Sequence, residues 1–280
     1  MVKTEDRYNY QLKYYGTYYF CNLIQNLVEG DNIGFARHFD EFFSNLVYEN
    51  RFQKDSVLHQ FIYFCIERVF YENIDSIIES KDDENGITDF KESEFFVCKV
   101  LEYHEVKRVR LEEWISKDKF KNNHTEDIIY EYFNDYIPDV IFELINRLSE
   151  EVFHILFQNR TFLFKFNLLV ADIFTASAEN NGQYKEFLIK KSGYFKRVGI
   201  PSWVKRAVFY RDRGVCVFCP TNLSGIIDSL PMENFDHMVP LAKGGINDVS
   251  NIQLACETCN KSKNDEASTT DVYRRMFINK

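Results

Sequence analysis

Two Cys-x-x-Cys pairs, Cys216-Val-Phe-Cys219 and Cys256-Glu-Thr-Cys259, bracket Asp236-His237, and the second pair runs directly into Asn260-Lys-Ser-Lys263. Each pair can turn tightly and present two sulfurs to one ion, and four thiolates suit tetrahedral zinc with no position left open for water. The residues between the pairs go beyond a zinc clamp. Imidazole titrates near neutrality and can act as a base, and no other histidine follows His154, so any base chemistry of this segment falls to His237. Asp236 and Asn260 add hard oxygen donors.

These side chains need elements to hold them. Phe235-Asp-His-Met-Val239 has strand composition, Leu241 to Asp248 is a glycine-containing loop, Asn251-Ile-Gln-Leu254 is a second strand, and Glu257 to Asp265 can be helical. Neighbours on a strand point to opposite faces, so Asp236 and His237 can serve one substrate only near the strand's end or edge; Pro240 fits a strand that stops there. Upstream, Ser202 can cap a helix running to Asp212, with Val204, Ala207 and Val208 as its apolar stripe.

With those residues in place, Asp236-His237, Asn251 and Cys259-Asn260 with Lys263 resemble the HNH endonucleases of the ββα-metal type, including McrA-like and endonuclease VII-like members. The likeness covers about residues 200–270. It implies a metal-dependent endonuclease acting on DNA, with His237 as the general base for water and Asp236 as ligand of a divalent metal. Asn251 stands at the motif's middle asparagine, which braces the loop and orients the base, although an Asn after Asp248-Val-Ser250 can equally end a turn. Asn260 replaces the family's final histidine, as in junction resolvases of the endonuclease VII type, and its neutral oxygen suits Mg²⁺ or Mn²⁺. Zn²⁺ on Cys216, Cys219, Cys256 and Cys259 is then structural. Lys263, Lys261, Lys243, Arg211 and Arg213 are the candidate phosphate contacts, Lys263 foremost because it lies one helical turn from Asn260.

The remainder of the chain reads as helix. Of the five prolines only Pro138 precedes residue 200, and apolar residues recur at helical spacing in Phe35 to Val47, Val57 to Val69 and Val140 to Ile155. The expected fold is mainly α: an N-terminal all-helical domain of six to eight helices over 1–195, then a small ββα-metal zinc domain over 196–280. Breaks are expected at Gly30-Asp-Asn32, Lys81 to Gly86, Lys121 to His124 and Glu179 to Gly182. The abundant Phe and Tyr residues read as core, and Cys21, Cys65 and Cys98 as buried free thiols.

The net charge of −9 is unevenly spread: residues 196–280 carry 12 Lys and Arg against 9 Asp and Glu, and residues 1–195 carry 22 against 34. A mildly basic zinc segment is joined to an acidic body suited to a partner and not to wrapping DNA. No apolar run approaches the roughly 18 residues of a membrane span, and the polar start lacks a secretory signal's apolar core, so a cytoplasmic protein is expected. By analogy the chain looks like the nuclease effector of a bacterial anti-phage defence system, its helical domain binding an ATPase or sensor subunit or a second copy. A restriction or mobile-element nuclease, or a silent zinc module binding nucleic acid or protein, are the alternatives.

Overall fold

The computed structural model describes residues 15–30, 36–49, 51–81, 90–116, 125–176, 187–189, 193–227, 229 and 231–270. Eight α-helices occur among the described residues up to Ala176: α1 (Tyr15–Glu29), α2 (Ala36–Asn45), α3 (Val57–Ser80), α4 (Phe96–Tyr103), α5 (Leu111–Ile115), α6 (Thr125–Glu131), α7 (Pro138–Leu156) and α8 (Arg160–Ala176). The C-terminal region adds α9 (Ser202–Arg211), β1 (Phe235–His237), β2 (Ile252–Leu254) and α10 (Glu257–Lys263). This is the expected mainly α chain with a ββα segment at its end. Most of the expected breaks fall outside the described residues; α1, α3 and α8 end just ahead of three of them.

Packing divides the chain into two compact units, one of Met1–Ile24 with Phe61–Phe153, the other of Gln25–Gln60 with His154–Lys280. In the first, Phe20, Phe61, Phe70, Phe95 and Phe133 are fully enclosed. Phe20 meets Phe70 edge-on at 5.5 Å and Phe95 meets Phe133 at 4.9 Å, the offset geometry that aromatic quadrupoles favour. Cys21, Cys65 and Cys98 are free and buried. Burial pushes the Cys21 thiol up to about 11 and the Cys98 thiol up to about 12.

In the second unit the strands are three residues long and pair antiparallel, Asp236 opposite Gln253 and His237 opposite Ile252. So short a hairpin cannot enclose a core of its own. It is backed by α9, and the turn Val249–Asn251 sits on α8. Tyr48 closes the same unit, its ring edge-on to Phe187 at 5.2 Å and to Phe195 at 5.5 Å. This unit therefore joins the C-terminal segment to Gln25–Gln60 and to the helix after His154.

Asp212 fastens α9 to β2. Its Oδ1 accepts from Arg211 Nε (2.9 Å) and Arg160 Nη1 (3.3 Å), and its Oδ2 from Arg211 Nη2 (2.8 Å) and the Leu254 amide (2.9 Å). A buried carboxylate is tolerated only when its lone pairs are satisfied in this way. Three local expectations change. Leu46 and Val47 lie beyond the end of α2, and Val47 and Ile155 are exposed, since neither tip of an apolar stripe is covered. Pro201, not Ser202, is the N-cap of α9, its fixed φ leading into the first turn. β1 stops at His237 and α10 at Lys263, each shorter than its composition allows.

Candidate active site and zinc centre

Asp236 and His237 follow one another on β1 with different surroundings. The Asp236 Oδ2 accepts from Gln253 Nε2 and lies against Lys263 Nζ, both at 3.0 Å. His237 is buried, and its carbonyl oxygen accepts from the same Lys263 ammonium at 2.9 Å. Its Nε2 lies 3.3 Å from Asn247 Oδ1. Burial, then the charges of Arg197 and Lys263, push the imidazole down to about 3, against a raising contribution from Asn247. The ring is therefore neutral at ordinary pH.

Asn251, fully buried, spans the loop between the strands. Its Oδ1 accepts from the Val239 amide (2.9 Å), and its Nδ2 donates to the carbonyls of Val239 (2.9 Å) and Ile246 (3.0 Å). The side chain at the imidazole is Asn247 and not Asn251. The loop turns at Gly244, with φ 83°, and Gly245, where a Cβ atom would stand 1.9 Å from the Val239 carbonyl oxygen. Only glycine fits there.

On α10, the half-buried Asn260 donates through Nδ2 to the Glu233 carbonyl at 2.8 Å. Lys261 is exposed and paired with Glu257 one turn back; Lys243 and Arg213 are exposed. Two of the five expected phosphate contacts need correction. Arg211 is enclosed, donating to Asp212 and to the Ile252 carbonyl, with its guanidinium over the Phe157 ring at 5.0 Å. Lys263 is turned inward on Asp236 and His237, with 8% of its surface exposed. In both cases a buried acidic or carbonyl partner claims the cation before a phosphate could.

The four sulfurs of Cys216, Cys219, Cys256 and Cys259 all lie within 4.8 Å of one another, and Cys219 and Cys256 are 3.6 Å apart. Tetrahedral thiolates at a zinc distance of about 2.3 Å stand about 3.8 Å apart, so the cluster fits the ion. Cys256 caps α10, and the Val217 amide donates to the Leu254 carbonyl (2.9 Å), tying the first knuckle to β2. The Thr221 hydroxyl, 3.1 Å from Cys219 Sγ, holds that thiol down to about 6, close to the thiolate form that zinc needs.

Residues 216–266, which contain the four cysteines, Asp236, His237, Asn247, Asn251, Asn260 and Lys263, match the family model for HNH endonuclease. The chain carries an HNH nuclease domain. That activity is hydrolysis of phosphodiester bonds. No curated protein and no solved structure shows significant similarity to the chain. Among the described residues, no helix is long and apolar enough to cross a membrane.

The HNH domain's donor set also fits a hard divalent ion. The Asp236 Oδ1 and Asn260 Oδ1 accept from none of the described residues, and both are oxygen donors of the kind Mg²⁺ and Mn²⁺ take. Gln253 Oε1 is a further buried acceptor with no hydrogen-bond partner among the described residues, while its Nε2 serves Asp236 and the Ser268 carbonyl. Sequence reasoning missed Asn247, Gln253, Asp248 and Asp212. The alternation of β2 could have paired Gln253 with Asp236 once the hairpin register was known; an asparagine in Gly244-Gly-Ile-Asn247 signals only a turn.

Proposed function

We propose that the chain is a metal-dependent DNA endonuclease in which His237 takes the proton of the attacking water and Asp236 and Asn260 hold Mg²⁺ or Mn²⁺. The observation that carries this reading is the adjacency of Asp236 and His237 on β1, with the Asn260 helix fastened back onto that strand through Lys263. The ion, when bound, stabilises charge gathering on the oxygens of the scissile phosphate. His237 starts neutral because it is buried, so it can accept a proton, and an incoming phosphate anion raises its proton affinity at the moment it is needed. Zinc on the four cysteines is structural. Of the five expected phosphate contacts, the exposed Lys243, Lys261 and Arg213 are assigned to phosphate oxygens.

In this proposal the residues 196–280 cut, and the acidic 1–195 segment receives a protein partner, such as an ATPase or sensor subunit, or a second copy, in a cytoplasmic anti-phage defence system. Support comes from the charge imbalance and from the exposed Tyr18, Tyr19, Tyr136 and Phe142 in the first unit. Nicking of supercoiled plasmid by the purified, zinc-loaded protein with Mg²⁺ or Mn²⁺ tests the chemistry, and His237→Ala should abolish it. Co-purification of the native complex tests the partner.

One observation favours a second reading, a zinc module that binds without cutting: the Lys263 ammonium already neutralises Asp236. Plasmid that stays intact with every divalent ion, while still bound by the protein, selects that reading.

A further inference from the structure

Asn247 lies outside the residues of the HNH motif, yet its side chain is the one at the imidazole. Its Nδ2 donates to the Lys196 carbonyl at 2.8 Å. A carbonyl oxygen only accepts, so the amide nitrogen must face Lys196 and the amide oxygen must face His237 Nε2, 3.3 Å away. An amide oxygen also only accepts, so the proton of the neutral ring must sit on Nε2. The lone pair is left on Nδ1, the nitrogen available to a water molecule.

Asn247 is itself gripped by a segment almost 200 positions earlier in the chain. Its carbonyl accepts from the Phe52 amide (2.8 Å) and the Tyr48 hydroxyl (3.2 Å). The next residue, Asp248, accepts through Oδ2 from the Val57 amide at the start of α3 (3.0 Å) and through Oδ1 from the Ser250 amide (2.9 Å) and hydroxyl (2.7 Å). Asn247 and Asp248 are both fully buried, so water cannot replace these donors. Phe52 holds a left-handed backbone, φ 58°, while donating to Asn247. Such a conformation in a non-glycine residue persists only where the surroundings over-determine it.

We propose that Asn247 is the positioning residue that fixes His237 as the Nε2–H tautomer, and that the strap Tyr48–Val57 holds Asn247 in place, so that a segment outside the HNH motif sets the readiness of the base. The inference rests on the reading of His237 as that base, but its primary readout does not need cleavage.

The test is a long-range ¹H–¹⁵N spectrum of the full-length, zinc-loaded protein labelled at histidine, with His237 assigned by its disappearance in His237→Ala. The wild type should show Nε2 protonated and Nδ1 bare. Asn247→Ala should lose this preference, and Asn247→Asp, which keeps an acceptor towards the ring, should retain it. In plasmid nicking, Asn247→Ala should lower kcat by about 10- to 100-fold with KM little changed. Tyr48→Phe, which removes one hydroxyl, should lower kcat by a smaller factor. A wild-type ring protonated on Nδ1, or an Asn247→Ala spectrum identical to wild type, overturns the positioning role. If Asn247→Ala does not fold, the wild-type tautomer and its persistence in Asn247→Asp still decide the matter. Cleavage by His237→Ala at the wild-type rate instead overturns the base assignment, and is distinguishable because the wild-type spectrum is unaffected by it.

Discussion

The Lys263 ammonium lies 3.0 Å from the Asp236 carboxylate and 2.9 Å from the His237 carbonyl, so one side chain fastens α10 to both residues of the Asp-His pair. In the proposed function a divalent ion also takes Asp236 as ligand, so the two cations share one carboxylate. Lys263→Met should therefore destabilise the zinc-loaded protein by about 3 kcal/mol, as expected for breaking a buried ion pair. Mn²⁺ should raise the variant's Tm more than the wild type's, because it replaces the missing positive charge. Thermal unfolding with and without Mn²⁺ checks this; equal shifts in the two proteins contradict it.

Zinc removal should cost structure as well as activity. The cysteine cluster joins the first knuckle, β2 and the start of α10, and metal binding at such a site is coupled to folding. A strong chelator should lower the Tm and abolish nicking, and added zinc should restore both. Retained cleavage and an unchanged circular dichroism spectrum after complete zinc loss would count against it.

Arg211 and Arg213 are two residues apart and should behave in opposite ways. Arg211→Ala strips two donors from the buried Asp212 and should cost about 3 kcal/mol or more. Arg213→Ala, on the surface, should change stability by less than about 0.5 kcal/mol. If Arg213 meets a phosphate, that variant should reduce the salt dependence of DNA binding by about one counterion. Denaturant titrations and binding isotherms at several salt concentrations separate the two effects.

Acid should weaken the fold in a defined window. Burial, with a contribution from the charge of His154, lowers His59 to about 4, and burial lowers His237 to about 3. Both rings titrate near 6.5 in the unfolded chain, so below that pH the unfolded state binds more protons and is favoured. Stability should be full above about pH 6.5 and fall progressively as the pH approaches 4. Comparing Tm between pH 8 and 4 in the wild type and in His59→Asn isolates the His59 share, and a variant with the same slope as wild type would remove His59 from the account.

The family of the C-terminal segment and its cysteine cluster were legible because the signal is local: paired cysteines, an Asp-His dipeptide and an Asn after the last cysteine keep their spacing whatever surrounds them. The helices were legible for the same reason, through apolar residues one turn apart. Burial of cations was not. Arg211 and Arg213 look alike in sequence, and only the hairpin register shows that one of them points at the Ile252 carbonyl. The role of Asn247 was hidden further still, since its partners Tyr48, Phe52 and Lys196 come together only in the folded chain and none carries a motif.

The clasp between Tyr48–Val57 and Asn247–Asp248 has a consequence for synthesis. Residues near position 50 leave the ribosome long before residue 247 exists, and closing so long a loop is slow compared with forming local helices. In the proposed arrangement, the base is fully positioned only when the later segment returns to the earlier one. Fragments that end before residue 247 then lack Asn247 and the second cysteine pair together, so neither the clasp nor the zinc centre can close in them.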